Sequence, residues 1–262
     1  AINLSVSGQN ISCNGGSNGS VSANASGGSG PLSYLWSPGG STSSSVNNLP
    51  AGTYVVTVTD TNNCSMQDSI TLTEPSPLAA SINVTTPLCP GTTSAALAAS
   101  GSGGTPGYQY AWSNNQTGPN LNNIGQGFYL VTVTDANGCT AQDSITLNPP
   151  SPIQISGPQV QHVSCFGAAD GALSFNVAGG TGNLTYAWTN NGSNAAQANN
   201  LGPGNYTLIV TDGNGCVDSA QGSIIEPPVL NASITSTQDV SCFNAADGQA
   251  SADAVGGVGP YT

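Results

Sequence analysis

Charge is scarce in this sequence, and fixed positive charge is absent. The 262 residues contain no Lys or Arg, twelve Asp and Glu together, and one His, whereas a typical soluble chain is about 25% charged. Without Lys and Arg, no basic patch can neutralise nucleic-acid phosphates. A Schiff-base lysine and an arginine clamp for carboxylate or phosphate are excluded as well. We therefore expect no nucleic-acid partner and no attraction to an anionic membrane surface.

Long apolar runs and methionine are also scarce. No run approaches the roughly 18 apolar residues of a membrane-spanning helix, and Met66 is the only methionine. We therefore expect no membrane insertion. No secretory signal is visible, so we expect an internal piece of a longer protein or a processed product. The abundant Gly and Ser would fit disorder, but an internal repeat favours a folded chain.

One unit of about 76 residues recurs along the chain. Each of the three complete units has a leading cysteine, a tryptophan 23 residues later and, near its end, a second cysteine. The leading cysteines are Cys13, Cys89, Cys165 and Cys242, and the second cysteines are Cys64, Cys139 and Cys216. Proline clusters separate the units and are interpreted as short, stiff connectors. They predict modules at residues 1–75, 76–150 and 151–227, and the front of a fourth at 228–262.

Inside each module the apolar residues recur with a period of two rather than 3.6. Tyr54, Val56 and Val58 share one face, while Thr57 and Thr59 share the other. Equivalent segments occur in the second and third modules, and no long amphipathic helical pattern is present. This alternation is typical of antiparallel strands with one buried face. The sequence therefore predicts an all-β fold, a tandem array of small Ig-like antiparallel β-sandwich modules.

Aromatic side chains alternate with Leu and Val along the predicted strands. They could form a platform on which sugars stack, but their period-two placement favours core packing. The predicted core aromatics are Tyr34, Trp36, Tyr54, Tyr110, Trp112, Tyr129, Tyr186, Trp188 and Tyr206. Because Ala and Ser fill many other inward positions, hydrophobic burial alone is expected to be marginal in so small a domain.

Disulfides are the expected supplement to a thin core in a small oxidised domain. Two pairings fit the spacing. Pairing within modules joins Cys13 to Cys64, Cys89 to Cys139 and Cys165 to Cys216; pairing between modules joins Cys64 to Cys89, Cys139 to Cys165 and Cys216 to Cys242. Strand alternation places both cysteines of a module at one pole, which favours one intramodule disulfide per module. Cys242 is then expected to be unpaired, because the fourth module is truncated.

The motifs of a module, taken together, resemble those of a known family. A leading cysteine is followed by a Gly-Gly pair before Tyr-x-Trp (Gly27 to Trp36), and then by segments such as NLPAGTY (48–54) and VTVTDANGC (131–139). This combination resembles the SprB-type repeat, three times plus a part. Such repeats occur in very large cell-surface and secreted proteins of Bacteroidota, including gliding-motility adhesins. The resemblance implies a surface-exposed, non-catalytic array without a defined ligand.

The acidic residues of the second-cysteine segments are interpreted as turn residues. Asp60, Asp135 and Asp212 each open an Asp-x-Asn-x-Cys segment, where Asp can bond the local backbone and Gly138 or Gly215 can take a positive φ. Calcium is the alternative, since it favours converging carboxylate and carbonyl oxygens. However, only two of the four modules have a carboxylate five residues after the leading cysteine. We predict no metal site.

The chain offers no constellation of catalytic residues. His162 is the only histidine and occurs in one module alone. A catalytic triad or a zinc site needs partners that the repeats do not supply. We interpret His162 as a surface or junction residue and predict no catalytic residue and no cofactor.

A short Asp-Ser motif recurs near the end of each complete module. It resembles an O-glycan acceptor used by the same bacterial group, and the alternative is simple polar–apolar alternation on the last strand. The candidate acceptors, here named the closing-strand serines, are Ser69, Ser144 and Ser219.

Together these observations predict a non-catalytic structural repeat array that forms an extracellular stalk, fibre or filament of a bacterial surface protein. The alternative is a set of adhesin modules that bind glycans or surfaces. Exposed sheet edges favour self-association into a fibre or pairing with neighbouring repeats. Covalent glycans would be a further partner.

Overall fold

The computed structural model describes residues 1–190 and 192–262, which form β-strands joined by turns and no helix. This confirms the predicted all-β, antiparallel fold. The described chain forms two compact units, the first of residues 1–87 and 93–148 and the second of residues 88–92 and 149–262. Within the described residues there is no helix of the length and hydropathy that a membrane span requires.

The first unit contains twelve strands in its described residues, arranged as four three-stranded sheets. The sheets have the strand orders β1-β2-β4, β3-β5-β6, β7-β8-β10 and β12-β11-β9. The strands are β1 (Ile2–Gln9), β2 (Gly19–Gly27), β3 (Ser33–Ser37), β4 (Ser45–Leu49), β5 (Gly52–Thr59), β6 (Ser65–Leu72), β7 (Ala79–Thr86), β8 (Ala95–Ser102), β9 (Gln109–Trp112), β10 (Asn120–Ile124), β11 (Gly127–Thr134) and β12 (Thr140–Leu147).

The second unit repeats the same pair of sheets once and then adds a two-stranded sheet. The strand orders are β13-β14-β16, β15-β17-β18 and β19-β20. The strands are β13 (Gln154–Gln161), β14 (Gly171–Ala178), β15 (Thr185–Trp188), β16 (Gln197–Leu201), β17 (Gly204–Thr211), β18 (Val217–Ile224), β19 (Asn231–Gln238) and β20 (Gln249–Val255).

Each complete pair of sheets has the strand arrangement of a reduced immunoglobulin sandwich. The first, second and fourth strands pair in one sheet, and the third, fifth and sixth pair in the other, as strands A, B, E and C, F, G do in that fold. No described strand crosses the boundaries expected near residues 75, 150 and 227. The division into four modules stays a prediction.

The core lies between the two sheets, because alternate residues of each strand point inward. In β5 the buried residues are Tyr54, Val56 and Val58, with half-buried residues between them. The first core cluster consists of Ile2, Ile11, Val21, Ala23, Trp36, Tyr54, Val56, Val58 and Leu72. The equivalent cluster in the second unit consists of Ile153, Val163, Leu173, Phe175, Trp188, Ala198, Leu201, Leu208, Val210 and Ile224.

The three tryptophans are each buried and hydrogen bonded. Trp36, Trp112 and Trp188 expose only 1%, 4% and 7% of their surface. Their indole N–H groups donate to the carbonyl oxygens of Ser43, Gly118 and Ala195, at 3.0, 3.0 and 2.8 Å. Each bond satisfies the indole N–H, the only polar group of the side chain, which has no access to water once the tryptophan is buried.

A tyrosine closes the corner before the fifth strand of each sandwich. Tyr54 donates its hydroxyl to the carbonyl of Pro50, four residues earlier, at 3.0 Å. Tyr129 and Tyr206 do the same to Gly125 and Gly202, both at 3.1 Å. This is the tyrosine corner of immunoglobulin-type sandwiches. Tyr54 is buried, whereas Tyr34, Tyr110, Tyr129, Tyr186 and Tyr206 are half-buried.

The Gly-Gly pair permits a close approach between the second strand and the start of the first. Gly103 has φ 72°, and a Cβ there would overlap the carbonyl oxygen of Pro77. The same overlap with a backbone carbonyl recurs at Gly27, Gly179 and Gly256. Only glycine combines a positive φ with the absence of a Cβ at these positions.

The first and last strands of a sandwich run in the same direction. Just beyond the ends of β1 and β6, Ile11 N donates to Thr73 O at 3.0 Å, and Thr73 N donates to Asn10 Oδ1 at 2.9 Å. The loop that follows β1 therefore lies where β6 ends. The hairpin turn that precedes β6 lies at the opposite pole.

Candidate functional site: the disulfide-linked turns

The leading cysteine begins a tight turn between the first two strands. Gly16 N donates to Cys13 O at 3.0 Å, which closes a four-residue turn. Ser12 N donates to Asn18 Oδ1 at 3.1 Å. Gly15 N donates to Glu74 Oε2 at 2.7 Å and so ties the turn to the segment after β6. Local bonds thus fix the position of Cys13.

The second cysteine ends a hairpin turn that an aspartate organises. Asp135 Oδ1 accepts from the N–H groups of Asn137 and Cys139, both at 2.9 Å. Its other oxygen, Oδ2, accepts from Thr105 N at 2.9 Å, in the loop that follows the Gly-Gly pair. Gly138 has φ 83°. The turn interpretation of this aspartate agrees with the geometry.

The same geometry recurs around Asp60 and Asp212. The three aspartates expose only 4–7% of their surface. Asp60 Oδ1 accepts from Asn62 and Cys64, and Oδ2 accepts from Ser29. Asp212 accepts in the same way from Asn214, Cys216 and Thr181. Because backbone N–H groups occupy both oxygens, these carboxylates act as acceptors that hold two loops together. The described residues contain no cluster of three metal-ligating side chains.

These bonds lower the pKa of the aspartates, because they stabilise the ionised carboxylate. For Asp135 the bond from Thr105 has the largest effect, and bonds from Cys139 and Asn137 act in the same direction against burial. For Asp212 burial is the largest influence and raises the pKa, but the backbone bonds led by Cys216 outweigh it. The folded turn therefore favours the charged aspartate.

In the first unit these two kinds of turn meet and are joined covalently. Cys13 and Cys139 form a disulfide with a Cα–Cα distance of 5.7 Å across a sequence separation of 126 residues. Beside it, Asn137 Nδ2 donates to Ser12 O at 3.0 Å and to Thr105 Oγ1 at 2.9 Å. The contact therefore combines a covalent bond with a side chain shared between both loops.

The second unit contains the equivalent disulfide. Cys89, in the segment 88–92, bonds to Cys216 with a Cα–Cα distance of 5.5 Å and a sequence separation of 127 residues. Both distances lie within the usual range of about 4.4–6.8 Å. Each disulfide joins a leading cysteine to the second cysteine of the following repeat.

The predicted intramodule pairings of Cys13 with Cys64, Cys89 with Cys139 and Cys165 with Cys216 are therefore wrong. The reason is strand direction: Cys13 lies where β6 ends, and Cys64 lies where β6 begins. An eight-residue strand separates these poles by about 26 Å, and a disulfide requires Cα atoms within about 7 Å. The alternative of joining Cys64 to Cys89 is not formed either.

The remaining cysteines of the described chain, Cys64, Cys165 and Cys242, are unpaired and exposed. The expectation that Cys242 lacks a partner therefore agrees with the structure, but Cys64 and Cys165 are unpaired as well. Cys64 belongs to the second-cysteine series, and the other two belong to the leading series. Each thus has a bonded equivalent elsewhere in the chain.

The remaining histidine and aspartates considered in the sequence analysis form hydrogen bonds in or next to the leading-cysteine turns. His162 is exposed and accepts a hydrogen bond at Nδ1 from Ile225 N at 3.2 Å, in the position that Asn10 holds in the first sandwich. Asp170 and Asp247 accept from Ser164 N and Ser241 N, both at 3.0 Å, and so fix the leading-cysteine turns.

The closing-strand serines are exposed on the last strand of each sandwich, at Ser69, Ser144 and Ser219. The aspartate before each accepts a hydrogen bond from the serine N–H at 2.8 Å. Exposure makes the hydroxyl groups accessible, and their glycosylation stays a prediction.

Sequence reasoning missed two contributors to the site, Asn137 and Glu74. Asn137 bridges the two loops, and Glu74 holds the leading-cysteine turn, as Glu226 does through Gly167 N at 3.0 Å. The recurrence of Asn two residues after each turn aspartate, and of Glu before two of the proline clusters, was the available signal.

A comparison with protein families identifies the repeats. The model of the SprB repeat family matches residues 2–41, 158–193 and 234–262. These three matched regions confirm the resemblance drawn from the motifs. The match supports a non-catalytic repeat protein of the cell-surface type. No curated protein matches the chain.

Several solved structures align with the chain at low similarity. The N-terminal eight Ig domains of Down Syndrome Cell Adhesion Molecule isoform 1.30.30 are 14% identical, with 85% of this chain and 34% of that chain covered and a TM-score of 0.33. Invasin, a bacterial integrin-binding protein, is 15% identical, with 97% and 67% covered and a TM-score of 0.31. Domains 4–9 of surface layer protein SbsC are 14% identical, with 87% and 48% covered and a TM-score of 0.27. The chain spans about a third of the first structure's length, and these scores support no functional conclusion.

Proposed function

We propose that the chain is a non-catalytic structural segment of an extracellular stalk, fibre or filament at a bacterial surface. The observation that carries this proposal is the way in which the disulfides join one repeat to the next. A domain that needed only its own stability would close a disulfide within itself. Here the covalent bond connects consecutive repeats, which suits an array that bears load.

The chemistry of the chain fits an exposed and oxidising location. Disulfides persist outside the cell and are rare in reducing compartments. In the chain-entropy treatment, a disulfide that closes a loop of 126 residues stabilises the folded state by about 5 kcal/mol. This is comparable to the whole free energy of unfolding of a small domain. The net charge of −12 keeps neighbouring arrays from clumping.

The alternative, an adhesin that binds glycans, gains no specific support from the tryptophans. The three tryptophans are buried in the sandwich cores and offer no exposed platform for sugar stacking.

The proposal is tested by locating the protein and imaging the material that contains it. Antibodies raised against the chain should label the outside of intact cells in immunoelectron microscopy. Purified native material should appear as fibres or stalks that disassemble or soften after reduction. Labelling confined to the cell interior, or monomeric particles that bind a glycan array, would contradict the proposal.

A further inference from the structure

The first strand of the third sandwich carries a bulge that the first sandwich lacks. The pairing of β13 with β14 shifts between Ser156 and Gln159, where two residues of β13 stand opposite Phe175 alone. In the first sandwich, β1 pairs with β2 residue for residue over its whole length. A bulge bends its strand and changes the direction of the side chains beside it. The first polar side chains after this bulge are those of Gln159 and Gln161.

A groove of about 240 Å³, here named the glutamine groove, opens on the outward face of the sheet beside the bulge. Its floor includes Ala172 and Ser174 on the middle strand β14, whose side chains are short and half-buried. Gln159 and Gln161 on β13 form one wall, and Gln197 on β16 forms the other. Long side chains on the outer strands thus flank short ones on the middle strand.

The strand register places the two walls opposite each other across the floor. Ser174 pairs with Gln159 on one side and with Gln197 on the other. Because neighbouring strands lie about 4.8 Å apart, the backbone positions of the two glutamines are about 10 Å apart. This width leaves room for a single chain of linked sugar rings between the walls.

The walls present three carboxamide groups to the groove. Gln161 Nε2 donates to Asp170 O at 3.3 Å, which orients the first carboxamide. Gln197 Nε2 donates to Asn199 Oδ1 at 2.8 Å, which orients the second. The exposed side chain of Gln159 has no hydrogen-bond partner among the described residues. A carboxamide both donates and accepts hydrogen bonds, and so does a sugar hydroxyl.

The absence of charge from the groove selects among ligand classes. None of the described residues that line it carries a charge. The net charge of −12, without Lys or Arg, would repel an anionic ligand. A cationic ligand would find no carboxylate there, and an apolar ligand would remove the carboxamides from water without replacing their hydrogen bonds. A neutral ligand rich in hydroxyl groups is the class that matches this lining.

The first sandwich provides a natural comparison. The three residues that pair across its strands at this level are Ser7, Ser22 and Ser45, so the long carboxamide walls are missing. Ser22 Oγ lies 2.9 Å from Ser45 Oγ, within hydrogen-bond distance. A smaller groove of about 150 Å³ on this sandwich is lined by residues of β1 and β2 alone. Ser22 is therefore the matched control position for Ser174.

We propose that the glutamine groove binds a single chain of a neutral polysaccharide. The carboxamides of Gln159, Gln161 and Gln197 form hydrogen bonds with sugar hydroxyls, and Ser174 lies beneath the sugar ring. A few hydrogen bonds at one groove give weak binding, and a fibre that displays many copies of the groove gains avidity. This binding activity goes beyond the proposed structural role and does not depend on it.

The test is native affinity electrophoresis of the full, oxidised chain. The gels contain dextran, laminarin or mannan as neutral probes, dextran sulfate as the anionic probe, or no polymer as the reference. We expect at least one neutral polymer to retard the chain and dextran sulfate to leave its mobility unchanged. The dependence of mobility on polymer concentration gives the apparent Kd.

Two variants of the groove should weaken this retardation. Ser174→Gln should raise the apparent Kd at least about tenfold, because the longer side chain occupies the space of the sugar ring. Gln159→Ala combined with Gln197→Ala should raise it about tenfold, because hydrogen bonds from both walls are lost. Ser22→Gln makes the same change on the first sandwich and should leave the apparent Kd unchanged. Near-UV circular dichroism checks that each variant keeps the fold, and the double Ala variant decides if Ser174→Gln does not.

Mobility unchanged by all three neutral polymers, or stronger retardation by dextran sulfate, would overturn the inference. An equal loss of binding in Ser22→Gln and Ser174→Gln, or full binding by both groove variants, would place the contact elsewhere and would overturn it too. Binding by the isolated chain is compatible with the proposed function, which is judged on whether the native material forms fibres. If no polymer binds while Cys13 remains joined to Cys139, the groove inference fails and the proposed function stands.

Discussion

The two disulfides close loops that overlap along the chain, and this overlap predicts a non-additive response to mechanical extension. The loops run from Cys13 to Cys139 and from Cys89 to Cys216. When the protein unfolds under force, the shortest covalent path crosses the first disulfide, runs back from Cys139 to Cys89 and crosses the second. That path has about 50 residues, instead of roughly 200 without disulfides, at about 3.5 Å per extended residue.

The expected lengths follow from these paths. Removing one disulfide, by Cys13→Ser with Cys139→Ser, adds about 26 residues, or about 90 Å, to the extended length. Removing the Cys89–Cys216 disulfide alone adds nearly the same. Removing both releases about 153 residues, or about 540 Å, which is about three times the sum of the two single effects.

The assay is single-molecule stretching of the oxidised chain between handles at its two ends, with the fully reduced chain as the reference. Independent intramodule loops would instead give about 350 Å for the Cys13→Ser, Cys139→Ser variant, because each would release its own length. Cys64→Ser is the matched control, since Cys64 is unpaired and its removal should leave the length unchanged. Additive increments, or lengthening by Cys64→Ser, would refute the reasoning.

Three further predictions concern the turn aspartate, the Gly-Gly pair and the closing-strand serines. Because folding lowers the pKa of Asp135, the ionised Asp135 stabilises the fold above the ordinary aspartate pKa of about 3.9, and this stabilisation is lost as the pH falls through the lowered pKa. Asp135→Asn should therefore lower the melting temperature at pH 7, and the melting temperature of the variant should fall less steeply in acid. Gly103→Ala should destabilise the fold by at least about 2 kcal/mol in denaturant unfolding, because strain at a positive φ is added to overlap with the Pro77 carbonyl. The intact mass of the native protein should exceed the polypeptide mass by the mass of one or more glycans. Changing the closing-strand serines to Ala should remove this excess mass.

Each of these predictions has its own control. Thr53→Val removes an exposed hydroxyl whose hydrogen-bond partner is the Thr71 hydroxyl rather than a carboxylate, so it should leave the acid dependence of stability unchanged. Gly138→Ala shares the positive φ of Gly103 but meets no atom within 4 Å, so it should cost only the backbone strain of about 1–2 kcal/mol. An intact mass equal to that of the bare chain would remove the glycosylation hypothesis.

The strand pattern could be predicted from the sequence because local alternation determines it. The buried faces of Tyr54, Val56 and Val58 follow directly from a period of two, and the turn geometry of Asp135 and Gly138 follows from local hydrogen bonding and a positive φ. These features depend on residues within a few positions of one another.

The disulfide pairing could not be predicted in the same way, because it depends on the direction of strands and on how one repeat follows the next. Counting strands placed Cys13 and Cys64 at one pole, but the first and last strands run in the same direction, so the two cysteines lie at opposite poles. The spacing of the cysteines gives equal support to several pairings. Only the contact between the Cys13 turn and the Cys139 turn selects one.

Disulfide mapping of the oxidised protein tests the central claim most directly. After thiol blocking and digestion without reduction, mass spectrometry should find Cys13 joined to Cys139 and Cys89 joined to Cys216, with blocked thiols at Cys64. A peptide in which Cys13 is joined to Cys64 would contradict the account, because that disulfide would lie within one repeat instead of joining two.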